Sequence, residues 1–260
     1  MTRAVILAAG EGTRLRPLTD HLPKALVPLG GVPLLTRQMT VLRRAGIVDV
    51  NIVAGYCAEA LEGSGAHLFF NPHYTSTNMM ASLYCAKALF DGHDDVVVAY
   101  GDIVYEPRVL AALLATAGPL AVVVDLGWHS LWSLRMDDPL SDAETMKLDL
   151  LGNIVELGKK PRTLDDIQGQ YIGLFKVDRL FAQQFFARYE QMPEGVLFEG
   201  RPREKMYMTS YLQNQIDHST QVRAATVTNG WLEVDSVQDL QRYEAALAQG
   251  LLARLYDNAA

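Results

Sequence analysis

Only two cysteines, Cys57 and Cys85, occur in 260 residues. They lack metal-ligand spacing, so a reduced, cytoplasmic protein is expected. No apolar run approaches the roughly 18 residues that a membrane-spanning helix needs, so no membrane partner is expected. The first apolar stretch enters a strand almost at once, which leaves no room for a signal peptide. An excess of positive charge is also lacking. Lys and Arg number 23 against 30 Asp and Glu, a formal net charge of −7. A general nucleic-acid binder would show a basic face, so nucleic acid is excluded as a partner. No serine, histidine and aspartate arrangement for hydrolysis stands out, and His73 has no second histidine at a metal spacing. Repeats, low-complexity segments and linkers are absent. With 49% apolar and 20% charged residues, the chain can bury a full core as one domain spanning 1–260.

Two common phosphate motifs are incomplete as well. Gly10-Glu11-Gly12 has no third glycine for a dinucleotide fingerprint and is followed by no Gly-Lys-Ser/Thr. What stands there is a buried-looking strand, Ala4 to Ala9, running straight into a glycine loop. Gly10 and Gly12 leave room for a ligand against the main chain, and successive N–H groups in such a turn form an anion-binding concavity. Leu7, Ala8, Ala9, Gly10, Gly12 and Thr13 are therefore candidate nucleotide contacts. Arg14 can fork two donors onto phosphate oxygens, and Lys24 offers a compact point charge.

Beyond the loop, Leu34 to Ala45 has helical spacing. Strands are expected at Val48–Ala54, His67–Asn71 and Asp95–Tyr100, and a helix over Met79–Phe90 capped by Asn78 or Thr77. This alternation predicts a parallel sheet covered by helices, with ligands beyond the carboxyl ends of its strands. Gly10 and Asp102 both fall at such ends. From about residue 120 the rhythm changes. Strands are expected at Leu120–Leu126, on either side of a turn at Leu151–Asn153, and at Gln170–Val177. Helices are expected at Val177–Tyr189, Met208–His218 and Val237–Tyr256. Asp235 ends the apolar strand Trp231–Asp235. Two carboxylates at strand ends, Asp102 and Asp235, suit a shared Mg²⁺ completed by substrate phosphates.

The segment from Gly10 to Pro28 fills every fixed position of G-x-G-T-R-L-x-P-L-T-x-x-x-P-K-x-L-x-P. It resembles the signature of nucleotidyltransferases that make sugar nucleotides and related activated alcohols. Later segments resemble the phosphocholine cytidylyltransferase branch, which also holds enzymes acting on aminoalkyl phosphonates. They are Asn71–Tyr74, Thr77–Leu83, Trp132–Arg135, Asp142-Ala143-Glu144, Ile154–Lys159, Gly169–Leu174, Met208–Gln213 and Trp231–Asp235. One departure is Asn78-Met79, where the branch often has adjacent asparagines.

The resemblance implies an α/β, Rossmann-like, mostly parallel sheet of the nucleotide-diphospho-sugar transferase type, with a smaller β-rich acceptor-binding part. Residues 1–118 would form the nucleotide-binding half and 119–260 the acceptor-binding half. It implies Mg²⁺ on Asp102 and Asp235, and Arg14 and Lys24 on the triphosphate. CMP would pass from CTP to a small phosphorylated alcohol or phosphonate, with pyrophosphate released. Asn78 and Ser82 are the candidate base contacts. For the acceptor, Trp132, Tyr171 and Trp231 offer aromatic faces to a cationic headgroup, as do Trp128 and Tyr189. Glu144 and Glu199 would add negative charge, and Lys159 would meet the acceptor phosphate. Two other readings stay open, a sugar-1-phosphate uridylyl- or thymidylyltransferase and a catalytically silent nucleotide-sensing subunit. The oligomeric state, a homo-oligomer included, is also open.

Overall fold

A computed structural model describes residues 1–258. In chain order its first elements are β1 (Thr2–Ala8), β2 (Pro28–Leu29), β3 (Val32–Pro33), α1 (Leu34–Arg44), β4 (Val50–Ala54), β5 (His67–Phe70), α2 (Met79–Cys85), β6 (Asp95–Tyr100), β7 (Ile103–Tyr105) and α3 (Pro107–Ala115). There follow β8 (Leu120–Asp125), α4 (Trp128–Arg135), β9 (Met146–Leu148), β10 (Ile154–Leu157), β11 (Gln170–Val177), α5 (Arg179–Phe185), α6 (Ala187–Gln191), α7 (Met208–Asp217), β12 (Val222–Val227), β13 (Trp231–Glu233) and α8 (Val237–Ala248).

The seven-stranded sheet runs β12-β8-β11-β6-β1-β4-β5. β1 is parallel to β4 and β6, β4 to β5, and β8 to β12. Only β11 runs antiparallel, between β6 and β8. The mostly parallel α/β sheet expected from the alternation is present, and the second half of the chain extends that same sheet. The hairpin of β9 and β10 stands apart from it, and β13 pairs with β7.

β1 shows why its apolar run is continuous. Ala4, Ile6 and Ala8 face one core while Val5 and Leu7 face the other, so both sides of the strand are buried. The first core is closed by Leu34 of α1, Val109 of α3 and Tyr243 of α8; the second by Met80 of α2, Phe185 of α5 and Tyr211 of α7.

Local chemistry sets the helix ends. Ser236 and Asp239 form a reciprocal capping box that starts α8. Asn78 caps α2 by accepting from the Met79 N–H at 2.8 Å. The expected helix over Met79–Phe90 stops at Cys85 and continues as a 3₁₀ turn, Lys87–Leu89. The helix expected at Val177–Tyr189 is two pieces, α5 and α6, meeting at Phe186.

Candidate active site

The glycine loop is held against its own later residues. Gly12 is left-handed at φ 61°, and a Cβ there would come within 3.0 Å of the Lys24 Cβ. The Thr19 hydroxyl donates to the Gly12 carbonyl at 2.9 Å, which ties the loop shut. Gly10 is a different case. Its φ is not positive and its missing Cβ meets nothing within 4 Å, so it contributes space alone. At the end of β6, Gly101 donates to the Leu7 carbonyl at 2.9 Å. A Cβ there would lie 2.7 Å from the same oxygen. Glycine therefore lets the β6 turn, and with it Asp102, close against the end of β1.

Four charges meet above this floor. The Lys24 Nζ donates to Asp102 Oδ2 at 2.8 Å and to Asp235 Oδ1 at 2.6 Å. Arg14 forms an ion pair with the other Asp235 oxygen. The Val234 N–H donates to the Asp102 carbonyl at 2.9 Å, which joins the two aspartate segments. Burial works against the Lys24 charge, but Asp102, Asp235 and Glu233 outweigh it and hold its pKa above the usual lysine range. Burial likewise opposes ionisation of Asp235, yet Lys24 and Arg14 keep its pKa below the ordinary value. Asp102 Oδ1 is buried and has no hydrogen-bond partner. Among the described residues no group of three or more His, Cys, Asp or Glu could hold a metal. A cation here would take two carboxylates from the protein and the rest of its shell from phosphates and water.

Two cavities adjoin these charges. The first, about 290 Å³, is lined by every residue expected on the nucleotide: Leu7, Ala8, Ala9, Gly10, Gly12, Thr13, Arg14, Lys24, Asn78 and Ser82. Asp102 and Asp235 line it too, as do Tyr74, Thr77 and Met79. The Ser82 hydroxyl accepts from Asn71 Nδ2 at 2.9 Å, so a buried asparagine fixes its direction. The second cavity, about 340 Å³, is lined by Trp132, Glu144, Tyr171 and Trp231, all expected on the acceptor. It adds Tyr100, Asp142, Tyr207 and Glu233. Asp142 and Glu233 lay within matched segments, two positions from expected residues. Tyr207 carried no signal in the sequence. Arg14, Met79 and Asp235 line both cavities.

Lys159 stands apart from both. It follows β10, is 54% exposed, and pairs with Glu156 at 2.8 Å three residues back on the hairpin. Trp128 and Tyr189 are buried in the cores and line neither cavity. Glu199 accepts from the Ser210 hydroxyl and acts on the pocket through its charge near Glu144.

The walls of the second cavity are braced from behind. The Trp231 Nε1 donates to the fully buried Asp125 at 2.8 Å. Arg135 pairs with Glu233 at 2.7 Å and Asp239 at 3.2 Å, and Asp239 accepts from the Asp235 N–H at 3.0 Å. Glu233 is raised by burial, against the pull of Arg135. Burial, with Glu199, Asp142 and Glu233 nearby, pushes Glu144 up to about 7.

Residues 4–148 match the MobA-like NTP transferase domain. The chain belongs to that family. It is therefore a nucleotidyltransferase, and its relatives place it among the cytidylyltransferases. Over 92% of its length it is 38% identical to the CTP:phosphoglutamine cytidylyltransferase of Campylobacter jejuni, covering 97% of that protein. A stretch of 89 residues is 45% identical to the choline-phosphate cytidylyltransferase of Streptococcus pneumoniae, spanning 33% of this chain and 39% of the relative. Among solved structures, the CTP:phosphocholine cytidylyltransferase of Streptococcus pneumoniae superposes with a TM-score of 0.70 at 23% identity, covering 95% of this chain and 99% of that one. That likeness carries the fold. No helix among the described residues is long and apolar enough to cross a membrane.

Proposed function

We propose that this nucleotidyltransferase moves CMP from CTP to a small acceptor that carries a phosphate or phosphonate at one end and a cationic nitrogen at the other. The observation that carries this reading is the junction of the two cavities at Arg14, Met79 and Asp235. A donor in the first and an acceptor in the second would meet where the charges are. The carboxylates of Asp142, Glu144 and Glu233 and the rings of Trp132 and Trp231 favour a cation in the second cavity. The names of relatives point the same way: phosphoglutamine, choline phosphate, aminopropylphosphonate and aminoethylphosphonate.

In this reading residues 1–118 form the donor half and 119–260 the acceptor half. An acceptor oxygen attacks the α-phosphorus of CTP in line, a new P–O bond forms, and pyrophosphate leaves with the electron pair. The attacking oxygen is already ionised near neutral pH, so positioning and charge neutralisation supply the catalysis. Arg14 lies between donor and acceptor phosphates and takes the part first expected of Lys159. Lys24 turns from the carboxylates to the triphosphate. Asn78 and Ser82 face the base. The donor set of Asp102, with its unpartnered buried oxygen, and Asp235 fits Mg²⁺, which usually takes one or two carboxylates plus substrate phosphates. When bound, the ion would neutralise phosphate charge as the bond to phosphorus changes hands. With two free cysteines, the cytoplasm is the setting we assign.

The test is pyrophosphate release with CTP, UTP and dTTP, each against phosphoglutamine, phosphocholine, 2-aminoethylphosphonate and glucose 1-phosphate. Turnover with CTP and an amine-bearing acceptor is expected. Preference for glucose 1-phosphate would overturn the acceptor assignment, and silence with every pair would favour a nucleotide-sensing subunit.

A further inference from the structure

Behind the catalytic aspartates lies a buried amide that the chemistry just described does not use. Gln38, on α1, is 0% exposed. Its Nε2 donates to the Tyr100 carbonyl at 2.9 Å and to the Ile103 carbonyl at 2.8 Å. Those two oxygens flank the Gly101-Asp102 step, so one NH₂ group clasps the turn on both sides. Reversing the amide would put its oxygen against both carbonyls, which fixes the orientation. The clasp leaves the Gln38 Oε1 buried without a partner. An unpaired buried amide oxygen is destabilising. An apolar side chain of the same length would remove that orphan oxygen but leave the Tyr100 and Ile103 carbonyls without this donor, so it is the N–H groups that give the amide its place.

The turn needs such support. Gly101 is pressed against the end of β1, and the Asp102 carbonyl is committed to the Val234 N–H at 2.9 Å. Gln38 adds the third restraint, from α1. Together they fix the backbone of Asp102 relative to Asp235.

We infer that Gln38 is a positioning residue for the divalent-cation site, holding the Tyr100–Ile103 turn so that the Asp102 carboxylate meets the ion together with Asp235. The inference rests on the Mg²⁺ reading above. Groups that orient metal ligands from behind typically matter about 10–100-fold in affinity or activity when removed. A brace of general stability would show in the melting temperature instead.

The experiment measures Mn²⁺ affinity by the loss of the free-ion electron paramagnetic resonance signal on adding protein, with acceptor omitted and only the loss beyond that caused by the same CTP without protein counted as binding. The proteins are wild type, Gln38→Met, and Gln38→Asn, whose amide is one methylene too short to span both carbonyls. Both variants are expected to bind Mn²⁺ about tenfold more weakly while remaining folded, with melting temperatures lowered by several degrees at most as the Tyr100 and Ile103 carbonyls lose their donor. Wild-type affinity in folded variants would overturn the role of Gln38 and leave the metal reading standing. Failure of wild type itself to bind Mn²⁺ would overturn the metal reading, and the inference with it. If neither variant folds, Gln38 is a core brace and the inference is wrong.

Discussion

The Lys24 ammonium and the Asp235 carboxylate meet at 2.6 Å although 211 positions separate them in the chain. The same nitrogen reaches Asp102 at 2.8 Å. One lysine from the opening loop thus compensates both carboxylates, which come from the turn after β6 and the segment after β13.

Removing that lysine should separate chemistry from folding. Lys24→Ala leaves the two carboxylates without their shared ammonium and, in the role we propose, the triphosphate without one of its cations. Asp102→Asn removes charge from the proposed metal pair. Each should lower kcat by about 10²–10³-fold, the range for losing one charge-stabilising group. Pyrophosphate release at saturating CTP and Mg²⁺ measures this, with circular dichroism to confirm the fold. Turnover near that of wild type in either variant would remove these residues from the mechanism.

The acceptor pocket should carry a pH signature through Glu144. Its carboxyl is pushed up to about 7, chiefly by burial and then by Glu199, Asp142 and Glu233, from an ordinary value of 4.5. The folded state therefore holds this proton more tightly than the unfolded chain. The resulting stabilisation is fully present below about 4.5 and is lost as pH rises to about 7. Glu144→Gln should then gain in melting temperature relative to wild type between pH 5 and about pH 8. Over the same window the KM for an amine-bearing acceptor should fall in wild type, as the carboxylate forms, and fall less in the variant, where Glu233 is the remaining raised carboxyl of the cavity. A rising wild-type KM would contradict an ammonium held at this group.

The cleft we assign to the donor was far more legible in the sequence than the one we assign to the acceptor, and the reason is local. Leu7 to Lys24 is one continuous stretch that builds most of a phosphate surface from its own backbone and two cations. The acceptor pocket draws on β6, α4, the segment before β9, β11, α7 and β13, so no single spacing reveals it. Lys159 falls outside both cavities for a related reason. It follows β10 past Gly158, is exposed and pairs with Glu156 three residues back, and only the fold shows where that segment lies. The helix α3 starts at Pro107 and lay unread between the Asp102 turn and the Gly118-Pro119 turn, and the edge strand β12 alternates too weakly to stand out. Gln38 was invisible as a brace because an isolated polar residue on an amphipathic helix has no partner in sequence.

Gly173 shows how a strand can be shaped for the pocket. It sits in β11 at φ 81°, where the pairing with β8 shifts register, and a Cβ would lie 2.6 Å from the Tyr100 ring. Tyr100 and Tyr171 line the acceptor cavity around it. Gly173→Ala combines backbone strain with overpacking and should cost about 2–5 kcal/mol. The acceptor KM should rise with it while the KM for CTP holds. Differential scanning calorimetry and the two KM values decide, and an unshifted melting temperature would show that the ring yields freely.

Arg135 makes the most demanding case, because it touches neither cavity's contents yet braces both. Its side chain is 1% exposed, packs over the Trp132 ring, and pairs with Glu233 and Asp239. Asp239 in turn receives the Asp235 and Ser236 N–H groups. Arg135→Met leaves two carboxylates with no counter-charge in a buried setting, and breaking such a pair costs about 3–5 kcal/mol. Arg135→Lys keeps the charge but loses the planar fork that serves two carboxylates and stacks on the indole. The lysine variant should therefore recover stability better than catalysis. We expect its acceptor KM to rise several-fold through Trp132 and Glu233, with a smaller fall in kcat through Asp235. If Arg135→Lys restores both stability and kinetics together, charge alone is what the site requires, and the fork has no part in joining acceptor to donor.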